Sequence, residues 1–161
     1  MLHVVERKWV RVSSSEEQTD FIPVRLFNRI MRILPIVSVE ALIVMDSGLL
    51  FLKRKIEPVK GEWWLPGGRV HRGESLDCAL HREVKEETGL ELGHRRLINV
   101  YSRVFPERHD ITIAYLCRCN RGEVVLNEEH SEFAFFKKPP PDLHPCIREV
   151  VADSEWEKGF G

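Results

Sequence analysis

The sequence has few cysteines, and none of them stands in a spacing that binds metal. The four are Cys78, Cys117, Cys119 and Cys146, with no C-x-x-C pair among them. Cys117 and Cys119 flank Arg118 in an apolar run, which predicts that both face one side of a strand. Because unpaired thiols of this kind are usually buried and belong to reducing compartments, we expect free, buried cysteines and a cytoplasmic location.

The sequence also lacks an excess of one charge and any long apolar run. Its 24 Lys and Arg residues balance 25 Asp and Glu residues, for a formal net charge of −1. Proteins that bind nucleic acid usually carry a basic excess, so no nucleic-acid partner is expected. No run is long enough to span a bilayer, and the first residues do not resemble a signal peptide, so no membrane partner is expected either.

One stretch, residues 68–90, carries the strongest pattern in the chain and reads GRVHRGESLDCALHREVKEETGL. Ser75 is a suitable N-cap and Gly89 a suitable left-handed stop, so a helix is predicted between them. At about 100° per residue, its apolar residues and several glutamates fall on one stripe that should pack on a sheet. The apolar members are Leu76, Ala79 and Leu80, and the acidic members are Glu83, Glu86 and Glu87.

Three carboxylates on the inner stripe of a helix require a compensating charge. Such glutamates repel by roughly a few tenths of a kcal/mol on an exposed helix, and by on the order of several kcal/mol where a sheet shields them from water. Arg82 supplies one cation, but we expect it to point about 100° away from Glu83 around the helix. Oxygen ligands grouped around a gap suit Mg²⁺ or Mn²⁺ better than zinc. The pattern therefore predicts a divalent-cation site.

The same residues match a known family pattern, the Nudix box, written G-x5-E-x7-R-E-U-x-E-E-x-G-U with U aliphatic. The matching residues are Gly68, Glu74, Arg82, Glu83, Val84, Glu86, Glu87, Gly89 and Leu90. With no position missing, the chain resembles the Nudix hydrolases. The resemblance implies an α/β fold, an α/β/α sandwich around a mixed sheet. It also implies hydrolysis of a nucleoside diphosphate linked to another moiety, with Mg²⁺ or Mn²⁺ as cofactor.

The resemblance further implies roles for individual residues of the box. The metal ligands would be Glu83, Glu86, Glu87 and the carbonyl oxygen of Gly68. Glu87 would also take part in catalysis, and Arg82 would pair with the carboxylates and orient them. Glu74 is expected to cap the helix or to form a salt bridge rather than to bind metal.

The remaining segments predict strands and helices arranged as a single domain over residues 1–161. Residues 1–20 form an N-terminal extension, and residues 22–34 carry apolar side chains at the spacing of an amphipathic helix. That helix could pack on its own domain or on a second subunit, which would make a homodimer. The core covers residues 36–137, with strands predicted at 36–45, 49–55, 95–105, 110–119, 123–126 and 132–136.

The chain is predicted to end in a helix over residues 142–157. Pro145 falls inside this range, and we expect it to interrupt the beginning of the helix because proline disturbs a helix interior. Helices before, within and after a series of strands agree with the sandwich that the box implies.

A wider resemblance covers residues 27–136, which look like the GDP-mannose mannosyl hydrolase branch of the family. The matching pieces are Pro35-Ile36-Val37-Ser38, Lys53-Arg54, Gly61-x-Trp63-Trp64-x-Pro66-Gly67-Gly68-Arg69-Val70, and Glu129-His130 followed by Glu132-Phe133. In that branch a histidine of the last loop acts as general base, which implies this role for His130. An imidazole with an ordinary pKa of about 6.5 suits that task at neutral pH.

The same branch implies substrate contacts by two arginines and two tryptophans. Arg69 would steady the departing diphosphate, and Arg54 would contact phosphate or sugar. Trp63 and Trp64 could stack on a base or sugar, but neighbouring residues of a strand face opposite ways, so one of them is expected in the core. The plain alternatives are surface arginines and an exposed loop histidine without a role.

The substrate and the bond that is cleaved stay open at this point. Our first hypothesis is a Mg²⁺-dependent hydrolase of a nucleotide sugar such as GDP-mannose. The mannosyl hydrolase branch replaces several box carboxylates and attacks carbon, whereas Glu83, Glu86 and Glu87 are all present here. The full set favours P–O cleavage, as in a general pyrophosphohydrolase of the ADP-ribose or NADH type. An alternative from another class is a Nudix-fold module that senses a small nucleotide without cleaving it.

Overall fold

The central element of the fold is the strand Ile36–Met45, which pairs with other strands on both of its sides. A computed structural model describes residues 9–11, 21–57, 59–119 and 122–159. The strands are β1 (Trp9–Arg11), β2 (Phe21–Pro23), β3 (Ile36–Met45), β4 (Gly48–Arg54), β5 (Trp63–Trp64), β6 (Gly67–Arg69), β7 (Leu92–Phe105), β8 (Arg108–Cys119) and β9 (His130–Phe136). The helices are α1 (Val24–Met31), α2 (Leu76–Thr88) and α3 (Pro145–Asp153), followed by a 3₁₀ turn at Trp156–Lys158.

The large sheet is mixed, as the sequence predicts. Its order is β5-β4-β3-β8-β7, with β6 added to β3 and β9 added to β4. Strands β3 and β8 run parallel over nine residue pairs, and the other pairings are antiparallel. Strands β1 and β2 form a separate two-stranded sheet. This arrangement confirms the mixed sheet of the predicted sandwich.

Helices α2 and α3 cover opposite faces of the sheet, here called the α2 face and the α3 face. On the α2 face, Ala79, Leu80 and Val84 pack against Val39 and neighbouring strand residues. On the α3 face, Ile147 and Val150 of α3 join a second core cluster with strand residues. Each face thus has its own apolar core, which confirms the three-layer α/β/α architecture.

Strand β3 changes its antiparallel partner half-way along its length. Its first half, Ser38 to Glu40, pairs with β6, and its last three residues pair with β4. Between these pairings the Ala41 N–H donates to the carbonyl of Pro66 at 2.8 Å. The change of partner brings the glycines of β6 beside β3 at the point where α2 packs.

Helix α2 begins and ends where its sequence signals predict. The Ser75 hydroxyl accepts a hydrogen bond from the Cys78 N–H at 3.1 Å, and Gly89 adopts φ +70° at the C-cap. The prediction that Leu76 packs on the sheet with Ala79 and Leu80 is wrong, because Leu76 is 39 % exposed. Leu76 is the first residue of the helix. Val84 lies at the core position instead.

Several predicted boundaries of other elements are corrected by the structure. Residues 123–126 are not a strand, and the hairpin of β7 and β8 turns over two residues, 106–107, rather than four. Helix α1 is shorter than the predicted 22–34, and none of its residues is buried. Pro145 begins α3 rather than interrupting it, since proline suits a first turn that needs no N–H donor.

The four cysteines differ in burial. Cys117 and Cys119 are buried on the α2 face as expected, whereas Cys78 is exposed and Cys146 is half-buried; the expectation that all four are buried is therefore wrong. Most of the predicted extension 1–20 lies outside the described residues. No helix of the described part of the chain is long and apolar enough to cross a membrane.

Candidate active site

The site is built on the two glycines of β6, where the backbone comes close to helix α2. A Cβ atom on Gly68 would lie 2.5 Å from the carboxyl carbon of Glu83, so any other residue at this position would require that carboxylate to move. The Gly67 N–H donates to Oε2 of Glu87 at 2.9 Å. Both contacts follow from the pairing of β6 with β3, which fixes the glycines beneath the helix.

Arg82 connects the middle of helix α2 to the segment that precedes the helix. Its Nε and Nη2 donate to the two carboxylate oxygens of Glu74 at 2.8 and 2.9 Å. Nη2 also donates to the carbonyl of Arg69, and Nη1 donates to Oε1 of Glu83 at 2.7 Å and lies 3.5 Å from Glu86. The expectation that Arg82 points away from Glu83 is wrong, because the long side chain reaches back around the helix.

The electrostatics of this network follow from its geometry. Burial disfavours the guanidinium charge of Arg82, but its hydrogen bonds to Glu74 and Glu83 outweigh that cost and raise its pKa. Burial likewise opposes the charge of Glu74, yet the hydrogen bonds from Arg82 and the His71 N–H lower its pKa. Glu74 therefore acts as an anionic clamp on Arg82, in line with the predicted salt bridge.

The three carboxylates expected to face inward differ in burial. The Glu87 and Glu83 side chains are 6 % and 13 % exposed, whereas the Glu86 side chain is 44 % exposed. Glu86 thus lies at the rim of the site, which corrects the expectation that all three carboxylates are turned inward. Burial raises the pKa of Glu83, and although Arg82 opposes this shift, the charge of Glu86 adds to it.

Glu87 is the most strongly perturbed carboxyl group of the site. Burial raises its pKa from 4.5 to about 8; the charges of Glu83 and Glu129 add to the shift, and the Gly67 N–H opposes it. In the absence of an added cation, the raised pKa favours the protonated form of Glu87. A divalent cation would replace that proton, since positive charge favours the ionised carboxylate.

His130 lies next to Glu87 and is buried, so the alternative of an exposed loop histidine is wrong. Its side chain is 1 % exposed, with Nε2 3.9 Å from Oε1 of Glu87. Its Nδ1 lies 3.1 Å from Oδ1 of Asn127, and the same oxygen accepts the Glu129 N–H at 3.0 Å. Because Oδ1 is an acceptor, Nδ1 carries the imidazole proton and Nε2 presents its lone pair towards Glu87.

The environment of His130 also changes its affinity for protons. Burial lowers its pKa from 6.5 to about 4, the charge of Arg54 adds to the shift, and Glu129 opposes it. Arg54 stands opposite His130 in the pairing of β4 with β9, where the register shifts. The imidazole is therefore unprotonated throughout the neutral range.

Arg69 connects the site to helix α1. Its guanidinium carbon lies 4.3 Å from the ring centre of Phe27, a cation–π contact, and its charge opposes the rise in the pKa of nearby Glu83 that burial causes. The structure thus places Arg69 near one of the expected metal ligands and Arg54 near Glu87 and His130.

The two tryptophans lie on the α3 face and do not divide between core and surface. Trp63 packs edge-on against Phe136 at 5.4 Å, and the Trp64 ring lies 5.2 Å from that of His144. The Trp64 Nε1 donates to Oε1 of Glu40 at 3.0 Å. Both indoles are half-buried against the α3 core, which corrects the expectation of one core residue and one free residue.

The structure also reveals two groups that the sequence reasoning missed. Gly67 contributes an N–H to Glu87, and Asn127 orients His130. Each has a local signal in the sequence. Gly67 belongs to a pair of glycines, and Asn127 stands two residues before Glu129, so its side-chain oxygen can accept the Glu129 N–H in an Asx turn. Neither signal identifies its partner, because Gly67 and Glu87 meet only after the helix packs on the sheet.

The donor groups fit a hard divalent ion in chemistry. Among the residues that the structure describes, no group of three or more His, Cys, Asp or Glu side chains is arranged to hold a metal as it stands. Even so, Glu83 fills the space above Gly68, and Glu87 is buried beside Glu83 with a raised pKa. Carboxylate and carbonyl oxygens are the ligands that Mg²⁺ and Mn²⁺ prefer.

Comparison with known proteins points to one family. The family model described as "NUDIX domain" matches residues 34–153. The chain is 39 % identical over 129 residues to an ADP-ribose pyrophosphatase of Methanocaldococcus jannaschii, covering 78 % of this chain and 76 % of that protein. It is 27 % identical over 147 residues to the low-salt glycan biosynthesis protein Agl8 of Haloferax volcanii, covering 86 % and 94 %.

A solved structure agrees with these sequence matches. The crystal structure of a MutT NUDIX hydrolase from Burkholderia pseudomallei superimposes with a TM-score of 0.69 and 31 % sequence identity. The superposition covers 74 % of this chain and 98 % of that one. Sequence and fold therefore agree over the region that contains α2, His130 and the sheet.

Proposed function

The chain belongs to the Nudix hydrolase family, and from that premise we propose that it hydrolyses a nucleoside diphosphate linked to a sugar. The reaction would depend on a divalent cation, Mg²⁺ or Mn²⁺. The observation that carries the proposal is the buried carboxyl group of Glu87, whose pKa is raised to about 8 beside Glu83. A carboxyl group in that environment is suited to exchange its proton for a cation.

The residues that would hold the cation are those of the box. Glu83, Glu87 and the carbonyl oxygen of Gly68 would be the inner ligands, and Glu86 would bind from the rim of the site. A bound divalent cation supplies neutralisation of the diphosphate charge and activation of water. Arg82, clamped by Glu74, would keep Glu83 aligned when the substrate arrives.

His130 would accept the proton of the attacking water, with Glu87 as the alternative base. The proton on Nδ1 is held by Asn127, so Nε2 is the free base atom. A pKa of about 4 keeps this atom unprotonated at neutral pH, at the cost of making it a weaker base. His130→Ala should slow turnover by roughly 10²-fold or more; a near-native rate would assign the base role to Glu87.

The two arginines would bind the substrate rather than the metal. Arg69, on the strand that carries Gly68, would stabilise the charge that grows on the departing phosphate group. Arg54, close to Glu87 and His130, would contact phosphate or sugar. Trp63 and Trp64 would contact the base or sugar of the substrate from the α3 side of the sheet. There, Glu40 orients the Trp64 ring by accepting a hydrogen bond from its Nε1.

Two observations favour a sugar-linked diphosphate over other nucleotides. One relative is an ADP-ribose pyrophosphatase and another is a protein of glycan biosynthesis, and both names refer to sugar chemistry. Within this class, the full set of Glu83, Glu86 and Glu87 favours attack at phosphorus, as with ADP-ribose. The buried His130 favours the second candidate, attack at the sugar carbon of a substrate such as GDP-mannose.

One reaction in ¹⁸O-labelled water tests both candidates. The purified chain is incubated with ADP-ribose or GDP-mannose and Mg²⁺, and the products are analysed by mass spectrometry. Label in a phosphate product supports attack at phosphorus, and label in the sugar supports attack at carbon. Absence of cleavage of either substrate, by protein that binds Mg²⁺ in a calorimetric titration, would contradict the proposed substrate class.

A further inference from the structure

Helix α1 turns one side towards the domain, and Phe27 stands in the middle of that side. The half-buried residues of α1 are Val24, Phe27, Ile30 and Met31, which recur at the spacing of one helical face. The residues between Val24 and Ile30 other than Phe27 are exposed. No residue of α1 is fully buried, so the helix lies on the surface of the domain rather than in either apolar core.

The ring of Phe27 contacts a side chain that the proposed function assigns to the substrate. The guanidinium carbon of Arg69 lies over this ring, 4.3 Å from its centre. At such a distance the negative face of the ring attracts the guanidinium charge, and this attraction requires an aromatic ring rather than apolar character alone. The contact therefore favours one direction of a charged side chain, which an aliphatic residue at position 27 would not do.

The backbone of Arg69 is held by contacts that do not involve α1. Arg69 stands opposite Ser38 in the pairing of β6 with β3. The next residue, Val70, donates its N–H to the carbonyl of Val37 at 2.9 Å. The Arg69 carbonyl accepts a hydrogen bond from Nη2 of Arg82, also at 2.9 Å. Strand pairing and the box arginine thus fix the start of the Arg69 side chain, whereas the contact with Phe27 acts on its charged end.

The charged end of Arg69 lies near the anionic centre of the site. Its charge is close enough to act on the carboxyl group of Glu83, which fills the space above Gly68. A long arginine side chain loses rotamer freedom when a ligand orders it. A contact that orders the side chain before the ligand binds reduces this loss and so increases affinity. Phe27 supplies such a contact beside the site.

We propose that Phe27 is a positioning residue for the diphosphate of the substrate and acts through Arg69. The ring orients the guanidinium before the substrate arrives, so that its fork of N–H donors meets the phosphate oxygens. Because Arg69 takes its role from the proposed function, this inference rests on that function. It adds helix α1 to the elements that recognise the substrate, beside the box helix and the sheet.

The affinity of the full chain for inorganic pyrophosphate, measured by calorimetric titration with Mg²⁺ present, tests this inference. Phe27→Leu keeps an apolar side chain but removes the ring, and it should weaken pyrophosphate binding by about 3- to 10-fold. Phe27→Tyr keeps the ring face and should restore binding to within about twofold of the wild type. Failure to cleave any nucleotide sugar would contradict the proposed function without affecting this titration.

Leu26→Ala is the matched control on the same helix. Leu26 is the apolar neighbour of Phe27, but it is 45 % exposed and points away from the half-buried side. The substitution should leave pyrophosphate affinity unchanged. Melting temperatures of all variants, measured by scanning calorimetry, should show that each is folded at the temperature of the titration.

A double-mutant cycle with Arg69 separates positioning from packing. Arg69→Met removes the charge that would bind phosphate and should weaken pyrophosphate binding by about tenfold or more. In the Arg69→Met background, Phe27→Leu should have no further effect, because the group through which the ring acts is missing.

Three results of the cycle would overturn the inference. Unchanged affinity in Phe27→Leu, with a loss in Arg69→Met, would refute the role of Phe27 and leave the proposed function intact. An equal loss from Phe27→Leu in both backgrounds would show that the ring supports the fold of this region and not the direction of the guanidinium. Unchanged affinity in Arg69→Met would contradict the substrate contact of Arg69 and, with it, the role of Phe27.

Discussion

Two buried carboxyl groups on opposite faces of the sheet, Glu87 and Glu40, have similar exposure and very different neighbours. They are 4 % and 7 % exposed, and burial raises the pKa of both. Around Glu40 the nearby charge of Arg103 and a hydrogen bond from Trp64 oppose the shift. Around Glu87 the charges of other carboxylates, Glu83 among them, add to it.

The difference shows that burial alone does not identify a reactive carboxylate. Glu40 has a cation of its own chain nearby, and Arg103 in turn donates to the carbonyl of Cys146 on α3. The hydrogen bond from Arg103 ties strand β7 to helix α3. Around Glu87 the charges of Glu83 and Glu129 outnumber the single nearby cation, Arg54, so this carboxyl group favours a bound cation. Glu40 and Glu87 are similarly shielded from water, so the sign of the charges around each carboxyl group is what distinguishes them.

The largest expected effect compares the two carboxylates directly. Glu87→Gln should lower kcat/KM by about 10³-fold, because it removes one of the carboxylates proposed to bind the divalent cation. Glu40→Gln keeps the hydrogen bond to Trp64 and should change kcat/KM by less than about tenfold. Steady-state kinetics with Mg²⁺ and the cleaved substrate measure both. An equal loss of kcat/KM in the two variants would show that Glu87 has no catalytic role that Glu40 lacks.

A smaller effect is expected from the arginines that accompany the two carboxylates. Arg82→Lys loses the fork that binds Glu74 and Glu83 together and should weaken Mg²⁺ affinity by about 10- to 100-fold. Arg103→Lys is the control on the other face and should leave Mg²⁺ affinity unchanged. Isothermal titration calorimetry gives both affinities. Unchanged affinity in Arg82→Lys would mean that the clamp does not align the ligands.

The smallest expected effect is a change in thermal stability with pH. In metal-free protein the pKa of Glu87 rises from 4.5 to about 8 on folding, so its contribution to stability is lost as pH increases across that range. Glu87→Gln avoids the loss and should melt several degrees higher than the wild type at pH 8, with a smaller difference at pH 5. Differential scanning calorimetry in the presence of a chelator measures this.

Adding Mg²⁺ should then distinguish the two faces. Binding to the wild type stabilises its folded state, so Mg²⁺ should reduce or reverse the advantage of Glu87→Gln. The pKa of Glu40 is also raised, so Glu40→Gln should show the same trend with pH, but Mg²⁺ should not alter it. An identical response of both variants to Mg²⁺ would contradict the assignment of the metal to the α2 face.

The features that the sequence predicts best are those encoded by neighbouring residues. Helix α2 has a local cap at Ser75 and a local stop at Gly89, and both bounds are confirmed. The box pattern also predicts the sandwich and its mixed sheet. Leu76 is an exception, since helical spacing predicts that it packs on the sheet, whereas it is 39 % exposed.

The features that the sequence does not predict depend on contacts between distant segments. His130 is buried because β9 pairs with β4 and brings it to Glu87, 43 positions earlier in the chain. Trp63 and Trp64 pack on one face because β5 is only two residues long and lies at the edge of the sheet. Arg82 reaches Glu83 through side-chain length, which helical angles alone do not describe.

The close approach of Gly68 to Glu83 implies that adding one methyl group could convert an enzyme into a protein that only binds its ligand. A methyl group at position 68 would occupy the space of the Glu83 carboxylate, while Arg69, Arg54 and the pairing of the sheet would be left in place. Gly68→Ala would thus be expected to retain recognition of the nucleotide and lose its turnover. Descendants of such a protein could become ligand-reporting domains without inventing a new binding surface.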